Sequence, residues 1–296
     1  MSASSSSKYT FTQIIDADHF TIQRLAARVR KVIATHATKT IDGSNIHGTD
    51  AEAVQDLLNE LRPLLLEATW RLIRHDLSED IVMRPAFATV LGNEGEKMAE
   101  HDRQDHAEGR GKLVGILELF ASLVKLCQYS ADEGRQAKQN ALVVEAGLRK
   151  VLDRVTATFD DLAKHMAIES GEFLPYFESI VDKDMSLRLA EEYASTLVVT
   201  PGMTMPTPEI TADKAEHQTV FRDETAYIMT PLAELRRTYA ETVRISSISE
   251  KQKRRFELQT EKELGQLQID KWVSGYNRSA STQSSTKNRD RKSGKL

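Results

Sequence analysis

The stretch HDLSEDIVMRPAF occupies residues 75–87, and HMAIESGEFLPYF occupies residues 165–177. The two share the phrase His-x-x-x-Glu-x-x-x-x-x-Pro-x-Phe. The first copy reads His75, Glu79, Pro85 and Phe87; the second, 90 positions on (165 against 75), reads His165, Glu169, Pro175 and Phe177. Each copy has an Asp-His pair upstream, Asp18-His19 before the first and Asp105-His106 before the second. Residues i and i+4 lie on one face of a helix, so each His-Glu pair can aim an imidazole nitrogen and a carboxylate oxygen at one point. Four histidines and two glutamates from four helices make a ligand set for a pair of first-row metal ions.

Working outward, the apolar spacing predicts helices around this phrase. A first helix is expected over about Thr10 to His36, with Ile15, Ile22, Ala26, Val29 and Ile33 as its stripe and His19 one turn after Ile15. Ile41 to Thr49, with Gly43 and Gly48, reads as a loop, and Asp50 as an N-cap. The second helix carries Leu58, Leu61, Leu65, Ala68 and Leu72 in register with His75 and Glu79. Pro63 predicts a kink or break in it and Pro85 a stop or bend after it, because an interior proline costs a helix about 3 kcal/mol. Gly92 to Gly95 marks the next break. A third helix carries Asp102, His106, Gly109, Leu113, Leu117, Phe120 and Val124, and a fourth, from about Glu133 to Pro175, carries Leu148, Val151, Val155, Leu162, His165 and Glu169.

His19 and His106 fall near helix starts, His75 and His165 near helix ends. In an up-down-up-down bundle two alternate starts and the two intervening ends lie at the same level. All six candidate ligands, His19, His75, Glu79, His106, His165 and Glu169, therefore fall at one end. Both glutamates continue apolar stripes, and an ionised carboxylate is almost never buried without a partner.

Composition agrees with a helical protein. In 296 residues there are 28% charged and 6% aromatic side chains, with 14 Gly and 7 Pro, and alternating strand patterns are scarce. The predicted fold class is all-α: an up-down-up-down four-helix bundle with additional C-terminal helix or helices and a disordered tail. The expected organisation is a disordered N-terminus at 1–9, the bundle at 10–185, an irregular linker at 186–212 around Pro201, Gly202, Pro206 and Pro208, a helical extension at 213–275, and a disordered basic tail at 276–296. The net charge of −4 hides an acidic body, because residues 251–296 carry 12 Lys/Arg against 5 Asp/Glu. Cys127 is the only cysteine, so no intrachain disulfide framework exists and a reducing compartment is expected. No apolar run approaches the roughly 20 residues that span a bilayer. Neither a membrane nor a nucleic acid is expected as partner, a protein partner for the C-terminal extension is open, and cytoplasm is the expected location, with nucleus as the alternative.

With these residues in view, the chain resembles the hemerythrin family in its broad hemerythrin-like (HHE cation-binding) branch. The resemblance covers about residues 11–185, in the order His, His-x-x-x-Glu, His, His-x-x-x-Glu. It implies a four-helix bundle with a non-haem di-iron centre, two iron ions, that interacts with dioxygen, another small diatomic or peroxide. His19, His75, His106 and His165 would be terminal nitrogen ligands, and Glu79 and Glu169 carboxylates bridging the irons. Two positions depart from the oxygen-carrying members. Where those carry a further histidine one turn before the third-helix ligand, this chain has Asp102, with His101 about 100° round the helix. Where they end the fourth-helix motif in Asp at a longer spacing, it has Glu169. Asp102 thereby becomes a seventh candidate ligand, and the harder, more anionic set resembles that of di-iron enzymes.

The remaining features are read as structural. His36, His47 and His217 match no motif, Cys127 continues the third-helix stripe as a small core residue, and Trp70 and Phe87 are expected in the core. The cluster Lys251 to Arg255 reads as a solvated helix face. Three functions stay open: a binding, sensing or storage protein; a di-iron oxidoreductase acting on iron, peroxide or an organic substrate; and a helical interaction protein with a vestigial site.

Overall fold

The computed structural model describes residues 9–40, 51–129, 135–206 and 217–245. Four long helices carry the fold: α1 (Phe11–Thr40), α2 (Ala51–Ser78), α4 (Asn93–Tyr129) and α5 (Arg135–Ile168). Short α3 (Arg84–Leu91) continues α2, and α6 (Leu174–Glu178) continues α5. The main packing pairs are α1 with α2, α4 with α5, and α2 with α4. Their facing stripes form one core, which includes Ile22, Val29, Leu58, Leu65, Leu72, Leu113, Phe120, Leu148, Val151, Val155 and Leu162. The fold is thus the expected all-α bundle with further helices after it.

Pro63 does not break α2. The helix passes through it, and Pro63 lies on the exposed face between buried Leu61 and buried Leu64–Leu65. The carbonyl that loses its donor can turn to solvent while the leucines hold the backbone. The prolines of the repeated phrase act differently. Each follows a π-helical turn that begins on the motif glutamate, Glu79–Met83 before Pro85 and Glu169–Phe173 before Pro175. Arg84 N–H donates to the Glu79 carbonyl and Leu174 N–H to the Glu169 carbonyl, an i→i+5 pattern in both. Proline has no N–H and its ring clashes with the carbonyl four residues back, and a widened turn just before it removes both conflicts.

Gly92 ends α3 at φ 59°, a conformation open to glycine, and α4 starts at the next residue. A Cβ on Gly95 would stand 1.9 Å from the Phe87 carbonyl oxygen, so the α3–α4 turn closes only over a glycine.

The expected linker at 186–212 is partly helical. Helix α7 (Lys183–Thr196) begins at an N-cap, Asp182, whose carboxylate accepts from Met185 N–H at 2.7 Å. Its buried residues are Ser186, Ala190, Tyr193 and Thr196, too small and polar to register as an apolar periodicity. Ser186 Oγ accepts from Phe11 N–H at 3.0 Å and Glu178 accepts from Thr12 N–H at 3.0 Å, so orphan donors at the start of α1 are met from α6 and α7. β1 (Thr204–Pro206), in the expected linker, pairs antiparallel with β2 (His217–Thr219), in the expected helical extension. Helices α8 (Glu224–Met229) and α9 (Leu232–Ile245) follow. They cover the outer face of α2 through Ile73, Leu77, Val199, Phe221, Tyr227, Ile228 and Leu235, with Trp70 at the margin. The expected loop at 41–49, the Asp50 cap, His47, the Lys251 to Arg255 cluster and the terminal segments lie outside the described residues. Among the described residues, no helix is long and apolar enough to cross a membrane.

Candidate metal centre

The bundle brings the seven candidate residues together at one end. His19 comes from early α1, His75 from the last turn of α2, Asp102 and His106 from early α4, and His165 from the last turn of α5. Glu79 and Glu169 open the π-turns. His19, His75, Glu79 and Glu169 form one group whose donor atoms all lie within 4.8 Å of one another; Asp102, His106, His165 and Glu169 form a second.

Both glutamates span the groups. Glu79 places Oε1 3.0 Å from His75 Nε2 and Oε2 2.9 Å from His106 Nε2. Glu169 Oε2 lies 3.2 Å from His19 Nε2 and 3.6 Å from His165 Nε2. Asp102 Oδ1 stands 3.4 Å from His106 Nε2 and 3.3 Å from His165 Nε2. Its other oxygen accepts from Arg84 Nε at 2.6 Å, which fixes the carboxylate with Oδ1 facing the histidines. Arg84 is itself buried and bonded to Asp76 and Asp80.

All four rings turn Nε2 inward. Behind them, His165 Nδ1–H donates to Asp105 Oδ2 at 3.0 Å. Tyr193 O–H donates to Asp18 Oδ2 at 3.3 Å, so its oxygen is left to accept from His75 Nδ1–H at 2.8 Å. His19 Nδ1 meets Ser170 Oγ at 2.9 Å. An Nδ1–H so engaged leaves the Nε2 lone pair facing the centre, the tautomer a metal requires. The Asp-His pairs thereby acquire a meaning the sequence did not disclose. Each aspartate serves not its neighbour but the histidine of the partner helix, Asp18 for His75 and Asp105 for His165. Arg84, Tyr193 and Ser170 were likewise missed. Arg84 had a readable signal, an arginine next to the motif proline with aspartates four and eight residues before it.

The arrangement is uncomfortable without a cation. Glu79 Oε1 and Oε2, Glu169 Oε1 and Oε2, and Asp102 Oδ1 are buried and accept no hydrogen bond, because the contacts to the imidazoles lack its alignment. The paired Nε2 atoms approach within 3.2 Å for His19 and His75 and 2.9 Å for His106 and His165, so one ring of each pair must carry a proton between them. Burial opposes charge on His75, but the Glu79 carboxylate and the Asp18 carboxylate, 3.5 Å from Nδ1, outweigh it and push the ring up to about 9. Burial and the charge on His75 push His19 down to about 3. Burial and then the charges of Glu79 and Asp102 hold Glu169 well above the carboxylate range; burial acts on Glu79 too, yet His75 and His106 hold it well below. Two glutamates in equivalent places are thus driven apart. Divalent cations would satisfy the five donorless oxygens and the four inward nitrogens together, and a mixed nitrogen–oxygen set without thiolate suits iron, manganese or zinc.

Two other histidines stay apart. His101 is exposed, 3.7 Å from Asp105 and edge-on to Phe173, and His36 pairs with Glu60 at 3.0 Å. β2 begins at His217. Cys127 packs against the bundle core, with its thiol pushed up by burial, and Phe87 is fully buried.

Comparison with known proteins agrees with this geometry. Residues 10–177 match the hemerythrin HHE cation binding domain, and the chain belongs to that family. An uncharacterized hemerythrin-like protein of Schizosaccharomyces pombe is 28% identical over 137 residues, which covers 46% of this chain and 55% of that protein. The chain thus spans about half the length of that relative. No solved structure matches.

Proposed function

We propose that this cation-binding protein holds two iron ions and uses them to bind dioxygen, another small diatomic or peroxide, in sensing, storage or detoxification. The observation that carries the reading is the set of five buried carboxylate oxygens without hydrogen-bond donors, facing four inward Nε2 atoms in two groups. His19 and His75 would hold one ion and His106 and His165 the other, with Glu79 and Glu169 between them and Asp102 beside the second. Bound iron would supply a redox-active Lewis acid to which a small ligand can coordinate. The protein's part is to fix the donors, exclude water and hold charge. Asp105 and the Asp18–Tyr193 pair orient rings, Arg84 orients Asp102, and burial keeps bulk water from all the donors except at His165.

Iron loading without oxygen, followed by elemental analysis, tests the reading: about two irons per chain are expected. Stoichiometric zinc with no uptake of iron would defeat it. One observation favours oxidoreductase chemistry as the second reading. Asp102 presents a carboxylate where oxygen carriers place a nitrogen, and anionic ligation favours the ferric state. Diferrous protein mixed with oxygen in stopped flow separates the two: one oxidation event per site fits a sensor, and repeated events with a reductant fit an oxidase. A stable reversible adduct over many cycles would restore the carrier reading.

A further inference from the structure

Apart from Asp102, which has no counterpart in the first copy, the repeat is symmetric in its candidate ligands and asymmetric in what stands behind them. Asp18 and Asp105 hold equivalent places, each one residue before a histidine. Asp105 is 35% exposed and has the exposed His101 ring 3.7 Å away, so water and a second ring compete for the carboxylate that orients His165. Asp18 is 3% exposed, carries an ion pair with Arg74, and accepts the Tyr193 hydroxyl, whose oxygen stands 2.8 Å from His75 Nδ1. Tyr193 is fully buried, with its ring edge-on to Phe11 at 6.2 Å between centroids. It belongs to α7, outside the residues 10–177 that match the family. His165 is also the only one of the four histidines with appreciable exposure, 9% against 3% or less for the others.

We propose that Tyr193 is a positioning residue that locks His75, so that the two metal positions are inequivalent: the ion at His19 and His75 is retained, and the ion at His106 and His165 exchanges. The inference rests on the two-metal reading above. Its physical basis is that a ligand ring held by a buried partner cannot swing away to release its metal, whereas a ring whose partner is shared with water can. The phenol is suited to holding a ring, because it is fully buried and its proton is directed at Asp18, which the ion pair with Arg74 holds in place.

The test loads full-length protein with ferrous iron in the absence of oxygen, confirms two irons per chain, and follows release to an excess of a coloured ferrous chelator. The wild type should release iron in two phases of equal amplitude. Tyr193→Phe keeps the ring against Phe11 and removes the hydroxyl, and should accelerate the slow phase by about 10–100-fold while leaving the fast phase alone. Asp105→Asn should accelerate only the fast phase. General loosening of the fold would move both phases together and would overturn the proposal, as would a single phase in the wild type or an unchanged slow phase in Tyr193→Phe. If that variant does not fold, Asp105→Asn still decides, because acceleration of the slow phase by it would reverse the assignment. Failure to load two irons is seen before any release is measured, and would remove the two-metal reading and this inference with it.

Discussion

Arg84→Met, in protein stripped of metal, isolates the cost of the buried charges around the site. Arg84 gives Nε to Asp102 at 2.6 Å, one terminal nitrogen to Asp76 at 2.8 Å and the other to Asp80 at 3.3 Å, with all four groups buried. Glu79 Oε2 also stands 3.9 Å from the guanidinium, and the four carboxylates do not lose equally. Asp76 retains Arg110 at 3.5 Å, and Asp80 retains Arg236 at 2.8 Å and Arg103 at 3.9 Å. Asp102 is left facing only His106 and His165. Removing one partner of a buried ion pair costs about 3–5 kcal/mol, even with the proton between His106 and His165 still facing Asp102. Methionine fills much of the volume of the arginine stem, so a cavity adds little.

For a chain of this size each kcal/mol moves the melting temperature by about 2–4 °C, which puts the expected fall at about 6–20 °C. Thermal and denaturant melts in the presence of chelator measure it. The double variant Arg84→Met with Asp102→Asn should recover most of the loss, because the stranded charge is gone. A loss below about 1 kcal/mol, or a double variant as unstable as the sum of the singles, would refute the reasoning and mean that water reaches Asp102.

Glu169→Gln should stabilise the metal-free protein by about 1–3 kcal/mol, since it replaces a carboxyl held against its charge, and should abolish the stabilisation given by metal; paired melts with and without iron check both. The melts should also diverge with pH. In the metal-free fold His75 is raised from 6.5 to about 9, so its contribution of about 3 kcal/mol is complete below 6.5 and is lost as pH rises through 9, whereas metal replaces that proton. The melting difference between loaded and chelated protein should therefore widen from about pH 6 to about pH 9, and a constant difference would contradict the protonated state of the metal-free site. Gly95→Ala should cost about 1–3 kcal/mol or more, because its Cβ meets the Phe87 carbonyl at 1.9 Å, whereas Gly111→Ala, with nothing within 4 Å, should gain about 0.5–1 kcal/mol; equal effects in the melts would contradict the α3–α4 contact.

The candidate ligands were legible because helix periodicity and bundle topology are both written in residue spacing. His-x-x-x-Glu needs only 3.6 residues per turn, and the placing of histidines at alternate starts and ends needs only antiparallel neighbours. What stayed hidden were contacts between distant segments. Asp18 lies next to His19 in sequence but supports His75, 57 positions away (75 against 18), and nothing in the local pattern names that partner. Tyr193 lies 118 positions from the ring it holds. Helix α7 was hidden for a different reason: it packs with Ser186, Ala190 and Tyr193, so that small size and hydrogen bonding, rather than hydrophobicity, define its inner face. Pro63 misled because the cost of an interior proline depends on which side of the helix it falls, and here it falls outward.

The spacing between the motif glutamate and phenylalanine links the phrase to its function. Phe87 follows Glu79 by eight residues, and in a continuous α-helix eight steps of about 100° leave the two about 80° apart. Both side chains are nevertheless fully buried, and Phe87 stacks on Phe177 of the other copy at 4.9 Å between ring centroids. The π-turn resolves the mismatch. It takes up one extra residue, so the eight-residue separation acts as seven and returns phenylalanine to within about 20° of the glutamate face. Proline six residues after the glutamate makes the widened turn the better local structure, and it does so only after the ligands, so that His75 and Glu79, or His165 and Glu169, keep α-helical i+4 geometry. The repeated phrase therefore specifies two things at once. Its first five residues aim a nitrogen and an oxygen at one point, and its last eight fold the helix end so that two phenylalanines, one from each copy, close the bundle beside them.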